Sequence, residues 1–373
     1  MEFFFHPELV RLGFIAGVAA SIGLYEKRQL TTGGIAVPGY LGFAIFAPGI
    51  AIAAMLSASL VYAAVHVLLP RVLFMTKRAK FSASIVGSAL LNVGLHAVLP
   101  QLGLTGGSSP LLAGMGYIVP GLIAHDMSRH GIAQTTLNIT AASAAVGALL
   151  LAAVSLLPRF AEMPPAIGEA GLAFDLALLP VAVFFSVAAW FGIARRRDWR
   201  CAGFVGGAYL SILATKPVEL AVFVGLAAVT LLVVTRLLEP RMVLFGRRKF
   251  AAVLLVGSCL SWSLFWLQKI IGGGITLTVL SPSLTAVSVL LTGLLAADVT
   301  RVGLPRTVLG VSANVLFTLS GTLLIVEILG AGRAVVIVGL ATILATVAAV
   351  IYAPSLRLFK RTRPSTPQKG SAP

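Results

Sequence analysis

The stretch Ile50-Ala-Ile-Ala-Ala-Met-Leu-Ser-Ala-Ser-Leu60-Val-Tyr-Ala-Ala-Val-His-Val-Leu-Leu69 contains no aspartate, glutamate, lysine or arginine. A helix of about 20 apolar residues is long enough to cross a hydrocarbon layer of roughly 30 Å. Residues 141–157 and 335–351 form similar runs. Only 11% of the 373 residues are charged, whereas soluble domains average about 25%. The sequence therefore predicts an all-α, polytopic integral membrane protein.

Apolar runs separated by basic loops predict about thirteen membrane segments. These lie near 9–24, 33–47, 49–69, 81–99, 110–124, 135–157, 172–194, 201–215, 217–237, 251–268, 278–297, 308–330 and 333–354. Segments two, five and eight are short and contain or border proline or glycine. Proline removes a backbone donor, and backbone groups freed in this way survive at membrane depth only where protein or trapped water satisfies them. We expect these three segments to be broken or re-entrant helices.

The net charge of +16 is distributed in short basic clusters between the apolar runs. This pattern marks cytoplasmic loops and argues against nucleic acid as a partner. With the N-terminus outside, the cytoplasmic loops and tail hold 23 of the 28 Lys and Arg residues. The sequence therefore predicts a multi-pass protein of a bacterial plasma (inner) membrane, embedded in the lipid bilayer, with a cytoplasmic C-terminus.

The two halves of the chain repeat each other. Pro70-Arg71, Lys77-Arg78 and Gly87-Ser88 recur 170 positions later as Pro240-Arg241, Arg247-Arg248 and Gly257-Ser258. Gly34 and Tyr40 match Gly203 and Tyr209 at an offset of 169, and 121–131 matches 293–303 at an offset of 172. Such a nearly constant offset indicates a duplicated unit. With about six segments each, both copies enter the membrane in the same direction, as in parallel-repeat transporters.

We predict five regions from this pattern. They are a first membrane unit at 1–157, an external loop at 158–171, a second and diverged unit at 172–330, an extra transmembrane helix at 331–356 and a disordered basic tail at 357–373.

The densest group of metal-ligand residue types is His125, Asp126 and His130. The second copy has Ala297 and Val302 in place of the histidines, which disfavours a metal site. It keeps the acid–base pair at i,i+3, as Asp126 with Arg129 and Asp298 with Arg301, where helical side chains can meet. Each pair is interpreted as a local salt bridge or as a docking or gating site used twice. The sequence also lacks phosphate-loop, dinucleotide-binding and zinc-protease motifs.

Three motifs together point to a known family. The first is Glu26-Lys27 followed by Gly34-Ile-Ala-Val-Pro-Gly-Tyr-Leu41, and the second is Gly116-Tyr-Ile-Val-Pro-Gly-Leu-Ile-Ala124. The third is the basic stretch Phe245-Gly-Arg-Arg-Lys-Phe-Ala-Ala252, with a looser copy at 76–81. These motifs resemble those of the PgsC/CapC family, the membrane subunit of bacterial poly-γ-glutamate synthesis. The chain is double the length typical of that family, and its second unit lacks both Val-Pro-Gly signatures.

The resemblance implies a subunit that is not itself an enzyme and holds no cofactor. It implies a separate cytoplasmic, Mur-ligase-like amide ligase of the PgsB/CapB type, which uses ATP and a divalent metal, and a membrane-anchored PgsA/CapA-type subunit. The anionic polyglutamate chain would be attracted electrostatically to basic loops. We expect the ligase or the polymer to bind Arg71, Lys77, Arg78, Arg247, Arg248, Lys249, Asp126, Arg129, Asp298 and Arg301. The competing interpretation is that the basic loops only set the topology.

The breaks at Pro38-Gly39-Tyr40 and Pro120-Gly121 suggest either a polar conduit through the first unit or helix kinks needed for packing. If they form a conduit, a bulky residue at Gly293 of the second unit should matter less than one at Gly39 or Gly121. The alternative function is an independent secondary transporter or exporter of an anionic small molecule, which the parallel repeats and broken helices also fit.

Overall fold

The computed structural model describes residues 6–29, 31–72, 75, 77–98, 115–157, 173–174, 178–196, 199–203, 206–271 and 285–329. The predicted loop at 158–171, the extra helix at 331–356 and the tail at 357–373 lie outside these ranges.

All regular secondary structure in the described ranges is helical. The α-helices of the first half are α1 (Pro7–Arg28), α2 (Val37–Leu41), α3 (Pro48–Tyr62), α4 (Leu69–Val72), α5 (Lys77–Val98), α6 (Met115–His130) and α7 (Ile132–Leu156). Those of the second half are α8 (Leu179–Arg196), α9 (Gly206–Ile212), α10 (Pro217–Leu232), α11 (Gly246–Ile271), α12 (Thr285–Val302) and α13 (Leu304–Leu329). A 3₁₀ turn (Gly42–Ile45) continues α2, and π-helical turns follow α3 (Ala63–Leu68) and α10 (Val233–Leu238).

Five helices in the described chain are long and apolar enough to cross a membrane. They are Glu8–Lys27, Pro48–Arg71, Ile132–Leu156, Pro217–Leu238 and Leu304–Ile328. Large apolar side chains on these helices face outward, including Leu56, Val224 and Leu316, which are 61%, 61% and 64% exposed. Outward apolar faces are stable in lipid, so the predicted class is confirmed: the chain is a multi-pass helical membrane protein.

Apart from the 3₁₀ turn and the four-residue helix α4 of the first half, the order of the described elements in the two halves is the same. A long helix is followed by a short buried helix, and then by a long helix that begins with proline, at Pro48 in α3 and Pro217 in α10, and ends in a π-helical turn. Three longer helices follow in each half. Gly131 joins α6 to α7 with φ +85°, and Gly303 joins α12 to α13 with φ +86°. The repeat seen in the sequence therefore extends to local backbone conformation.

Segments two and eight are interrupted, as predicted. In the first half an irregular stretch at 31–36 leads into the five-residue helix α2 and its 3₁₀ turn. In the second half the corresponding helix, α9, has seven residues. Segment five behaves differently, because α6 continues through Pro120 for 16 residues. The expectation of a break there is wrong for the described part of that segment.

The two halves share their core. Leu254 of α11 and Leu290 of α12 join the apolar cluster around Phe14 of α1, and Ile85 of α5 packs with Leu179 of α8. Helix α1 contacts α11, and α5, which corresponds to α11, contacts α8, which corresponds to α1. The interface therefore uses equivalent helices from each half.

Candidate functional site

The basic motif of the second half is held against the end of α1 in the first half. The guanidinium of Arg248 donates hydrogen bonds from Nε and Nη2 to the two carboxylate oxygens of Glu26. This two-point contact fixes the orientation of the guanidinium in addition to pairing its charge. The hydrogen bonds to Glu26 also raise the pKa of Arg248 above its usual value. Two of the motifs named in the sequence therefore meet across 222 positions.

The two residues on either side of Arg248 are also held in place. The guanidinium carbon of Arg247 lies 4.9 Å from the ring centroid of Tyr25, a cation–π contact. Lys249 Nζ lies 2.6 Å from Oε1 of Glu239. The first turn of α11 thus presents three cations whose positions are fixed by α1 and by the end of the π-helical turn.

Two clefts open beside this turn and share Gly246. The larger has a volume of about 390 Å³ and is lined by Tyr25, Gln29, Val243, Phe245, Gly246, Arg247 and Arg248. The smaller, of about 170 Å³, is lined by Gly246, Lys249, Phe250, Val253, Ala297, Thr300 and Arg301. The guanidinium carbon of Arg301 lies 5.1 Å from the centroid of the Phe250 ring. The two clefts are treated as one site, and we call this site, together with the cations that line it, the basic cleft.

The repeated aspartates face inward, toward the interrupted segments. Asp126 Oδ2 accepts a hydrogen bond from the backbone N–H of Gly33 at 2.9 Å. Asp298 Oδ2 accepts a similar bond at 3.3 Å from the backbone N–H of Gly203, the counterpart of Gly34. Both aspartates are buried, with 6% and 7% exposure. Each carboxylate therefore satisfies backbone donors that the break in the helix leaves without helical partners.

This geometry gives the aspartates a role that the sequence interpretation missed. The arginine one turn later is exposed in both halves, as Arg129 and Arg301. The i,i+3 spacing suggested a surface pair, yet the carboxylates instead hold an irregular loop about 95 positions away. The repetition of the aspartate was the available signal, but its partner could not be identified from spacing.

The Pro-Gly pairs lie at close helix contacts. A Cβ atom added to Gly39 would lie 2.9 Å from the Gly13 carbonyl oxygen and from Cα of Phe14. One added to Gly121 would lie 2.5 Å from the carbonyl oxygen of Ser84. Pro38 and Tyr40 are buried in α2, and Pro120 is buried in α6. These contacts support the packing interpretation, while the conduit stays a prediction.

Gly293 of the second half occupies the same kind of contact as Gly121. Its added Cβ would lie 2.8 Å from Cα of Leu254 in α11. A bulky residue at Gly293 should therefore be as disruptive to packing as one at Gly121, while its smaller effect on a conduit stays a prediction.

The first-half basic residues present a looser arrangement. Arg71 and Lys77 are exposed, and the side chain of Arg78 lies outside the described part of the structure. Nearby, His66 Nε2 and Ser84 Oγ are 2.9 Å apart, and the rings of His66 and His125 are 6.0 Å apart. Among the described residues, no three His, Cys, Asp or Glu side chains gather in a group suited to a metal ion.

The sequence of the chain matches one protein family in both halves. The profile described as capsule biosynthesis CapC matches residues 16–136 and 179–308, more than half of the chain. The chain is 29% identical over 138 residues to the PGA biosynthesis protein CapC of Bacillus subtilis (strain 168), covering 36% of this chain and 91% of that protein. It is 32% identical over 107 residues to the capsule biosynthesis protein CapC of Bacillus anthracis, covering 29% of this chain and 68% of that protein.

No solved structure matches the chain. The family match covers α2, α9, both aspartates and the basic cleft, so the features described above lie within the shared region. The chain belongs to the capsule biosynthesis CapC family, as a member with two copies of the unit.

Proposed function

We propose that this chain is the membrane subunit of a complex that makes and exports poly-γ-glutamate or a related γ-linked glutamyl polymer. Its family and the names of its relatives support a role in capsule or poly-γ-glutamate biosynthesis. In this proposal a separate ATP-dependent, Mur-type ligase forms the amide bonds, and a membrane-anchored PgsA/CapA-type subunit completes the complex. The chain itself does not catalyse the bond formation.

The basic cleft is the observation that carries this proposal. A γ-linked glutamyl polymer presents one carboxylate per residue, and arginine binds carboxylates with two parallel hydrogen bonds. Arg247 lines the larger cleft beside the aromatic ring of Tyr25, while Lys249 and Arg301 line the smaller one. A flexible polyanion crossing Gly246 would meet cations in both clefts.

The orientation of the chain completes the proposal. With the N-terminus outside, the end of α1 and the start of α11 face the cytoplasm of a bacterial cell. A polymer leaving a cytoplasmic ligase would then meet the basic cleft first. The same surface, including Glu26 and Glu239, would be available to the ligase.

Binding of the polymer tests the role of the cleft. The full chain, purified in nanodiscs, is titrated with fluorescent poly-γ-glutamate at fixed salt. Arg247→Gln should weaken binding by about tenfold, because a hydrogen bond to a charged group contributes about 1.5–3 kcal/mol. Arg306→Gln is the matched control, since Arg306 is exposed in the first turn of α13 and outside the cleft.

The triple variant with Gln at Arg247, Arg248 and Lys249 extends the test to cells that express the partner ligase. It should insert normally and abolish polymer formation or ligase association. The charge exchange Glu26→Arg with Arg248→Glu distinguishes packing of α1 against α11 from binding of the polymer. It keeps an ion pair between the two helices while inverting the charge at position 248. If the triple variant binds the polymer and produces it at wild-type levels, these residues only set the topology of the chain.

The interrupted segments favour a second candidate, an independent secondary transporter of a small anion. Transporters place irregular backbone beside half-helices at their binding sites, and both halves here have such a segment. Export of a small anion by the chain alone, reconstituted in liposomes without ligase, would support this candidate.

A further inference from the structure

The two buried aspartates have different charged surroundings. Asp298 lies close enough to Arg200 for the guanidinium to stabilise its carboxylate electrostatically. At the offset of 169 that relates Gly34 to Gly203, the position equivalent to Arg200 is Thr31. The exposed arginine one turn after each aspartate is common to both halves. The first half therefore has the same buried carboxylate, but no arginine stands at the position equivalent to Arg200.

Two buried hydroxyls of the first half lie on the elements that meet at this stretch. The hydroxyls of Thr31 and Thr135 are buried, with 4% and 0% residue exposure, and neither has a hydrogen-bond partner. Asn138 lies one turn after Thr135 on the buried face of α7. Its Nδ2 donates to the Thr31 carbonyl at 3.5 Å, and its Oδ1 accepts from Gln134 Nε2 at 3.1 Å. The stretch held by Asp126 at Gly33 is the same stretch that contains Thr31.

The second half lacks these unpartnered hydroxyls at the equivalent positions. Thr307, equivalent to Thr135, donates to the Gly303 carbonyl at 2.9 Å. Gly310 replaces Asn138, and a Cβ added there would lie 2.2 Å from the Arg200 carbonyl oxygen. The backbone of Arg200 thus occupies the space on α13 that an asparagine side chain would need. In the second half, Arg200 therefore supplies both the positive charge near Asp298 and the atoms that fill the space beside Gly310.

We propose that the first half binds a monovalent alkali cation among Thr31, Asp126, Thr135 and Asn138, in the role that Arg200 has in the second half. Hydroxyl, amide, carbonyl and carboxylate oxygens are the donors that hard cations prefer. A single carboxylate matches a single positive charge, and a buried charge is costly unless it is paired. Irregular backbone at membrane depth is also where transporters coordinate Na⁺.

Thermal unfolding of the full-length protein tests this site. The purified chain is heated in NaCl, KCl or choline chloride at equal ionic strength. A ligand that binds only the folded state raises the unfolding temperature with its concentration. We expect Na⁺ or K⁺ to raise the Tm by a few degrees over choline, with saturation. Identical curves in the three salts would overturn the proposal and leave ordered water as the partner of the two hydroxyls.

Two matched variants locate the effect. Thr135→Val should abolish the cation-dependent rise in Tm, whereas Thr307→Val should retain it, because its hydroxyl is already bonded within α13. Thr31→Arg, which copies the second half, should raise the Tm in choline and remove the dependence on alkali cations. Loss of the cation effect in Thr307→Val but not in Thr135→Val would place the site elsewhere and overturn the assignment. The salt comparison on the wild type is decisive even if a variant fails to fold.

Discussion

The interrupted segments of the two halves share one anchor and differ in almost everything around it. In both, a buried aspartate binds a backbone N–H of the irregular stretch, Gly33 for Asp126 and Gly203 for Asp298. The short helix that follows contains Val37-Pro38-Gly39 in the first half, but Gly206-Gly207-Ala208 in the second. The Thr31 position becomes Arg200, and Asn138 becomes Gly310.

The difference shows which features the interrupted geometry requires. A broken helix leaves buried backbone donors that must be satisfied, and the aspartate meets this need in both halves. The proline does not create the break, because α9 is interrupted without one. Close helix contact requires glycine at particular places, while polar neighbours can be exchanged as long as charge and volume are balanced.

The largest expected effect tests whether the helix contacts are equivalent in the two halves. Gly121→Ala and Gly293→Ala should each destabilise the protein by about 1–3 kcal/mol or more, because the added methyl meets backbone atoms of the neighbouring helix at 2.5 Å and 2.8 Å. Thermal unfolding of the purified protein measures this. Gly225→Ala is the control, since its Cβ meets nothing within 4 Å. If Gly293→Ala caused little loss of stability, the second half would be shown to pack more loosely than the first.

The aspartate anchors come next. Asp126→Ala and Asp298→Ala should each cost about 1–3 kcal/mol of stability, because buried N–H groups lose their acceptor. The loss should be greater for Asp298→Ala in choline buffer, where Arg200 is left without its carboxylate. Denaturation monitored by tryptophan fluorescence gives both values. Little effect from either change would mean that water replaces the carboxylate and that the anchor is dispensable.

The glycines between the last two helices of each half should give smaller and equal effects. Gly131→Ala and Gly303→Ala place a side chain at φ +85° and +86° with no atoms within 4 Å of the new Cβ. The cost is then backbone strain alone, about 1–3 kcal/mol, because φ +85° with ψ 156° at Gly131 is a conformation essentially restricted to glycine. Unequal shifts in the unfolding temperature would reveal that one of the two linkers can change its conformation.

The smallest effect is expected where the halves exchange glycine for alanine. Ala202 has φ +55°, and Gly33, its counterpart at an offset of 169, has φ +75°. Ala202→Gly relieves about 1–2 kcal/mol of strain, but loses a buried methyl worth about 0.8 kcal/mol and increases the entropy of the unfolded chain. The Tm should barely change.

The reverse exchange makes the comparison sharper. Gly33→Ala should destabilise the protein, because side chains rarely adopt φ +75° and because Ile139 and Ile123, 2.9 Å and 3.1 Å from the new Cβ, would both have to shift. If Ala202→Gly proved strongly destabilising instead, the methyl group rather than the backbone conformation would be what holds that loop.

Much of the fold could be predicted from hydrophobicity and repetition. Long apolar runs such as 50–69 leave a membrane helix as the only economical structure, and Pro-Gly within short runs indicated the interruption at α2. The continuity of α6 through Pro120 could not be foreseen. Proline weakens a helix, but neighbouring helices can stabilise it, and those contacts are tertiary.

The site was less accessible from the sequence. Arg247 and Arg248 were identified as binding candidates, yet the partners that orient them, Tyr25 and Glu26, come from the other half of the chain. The π-helical turns after α3 and α10 were missed as well. An apolar run fits an α-helix and a π-helix equally well, because both bury the same kind of side chain.

The contact between Glu26 and Arg248 has a consequence for how the two units stay together. Because one polypeptide carries both partners, the docking of the units is a unimolecular step, and dilution in the bilayer does not separate them. Each unit also contacts a neighbour of different sequence. A substitution on one side of the interface therefore needs only one compensating substitution on the other side. The two halves can therefore specialise independently, which would allow the polyanion binding proposed at α11 and the cation binding proposed beside α2.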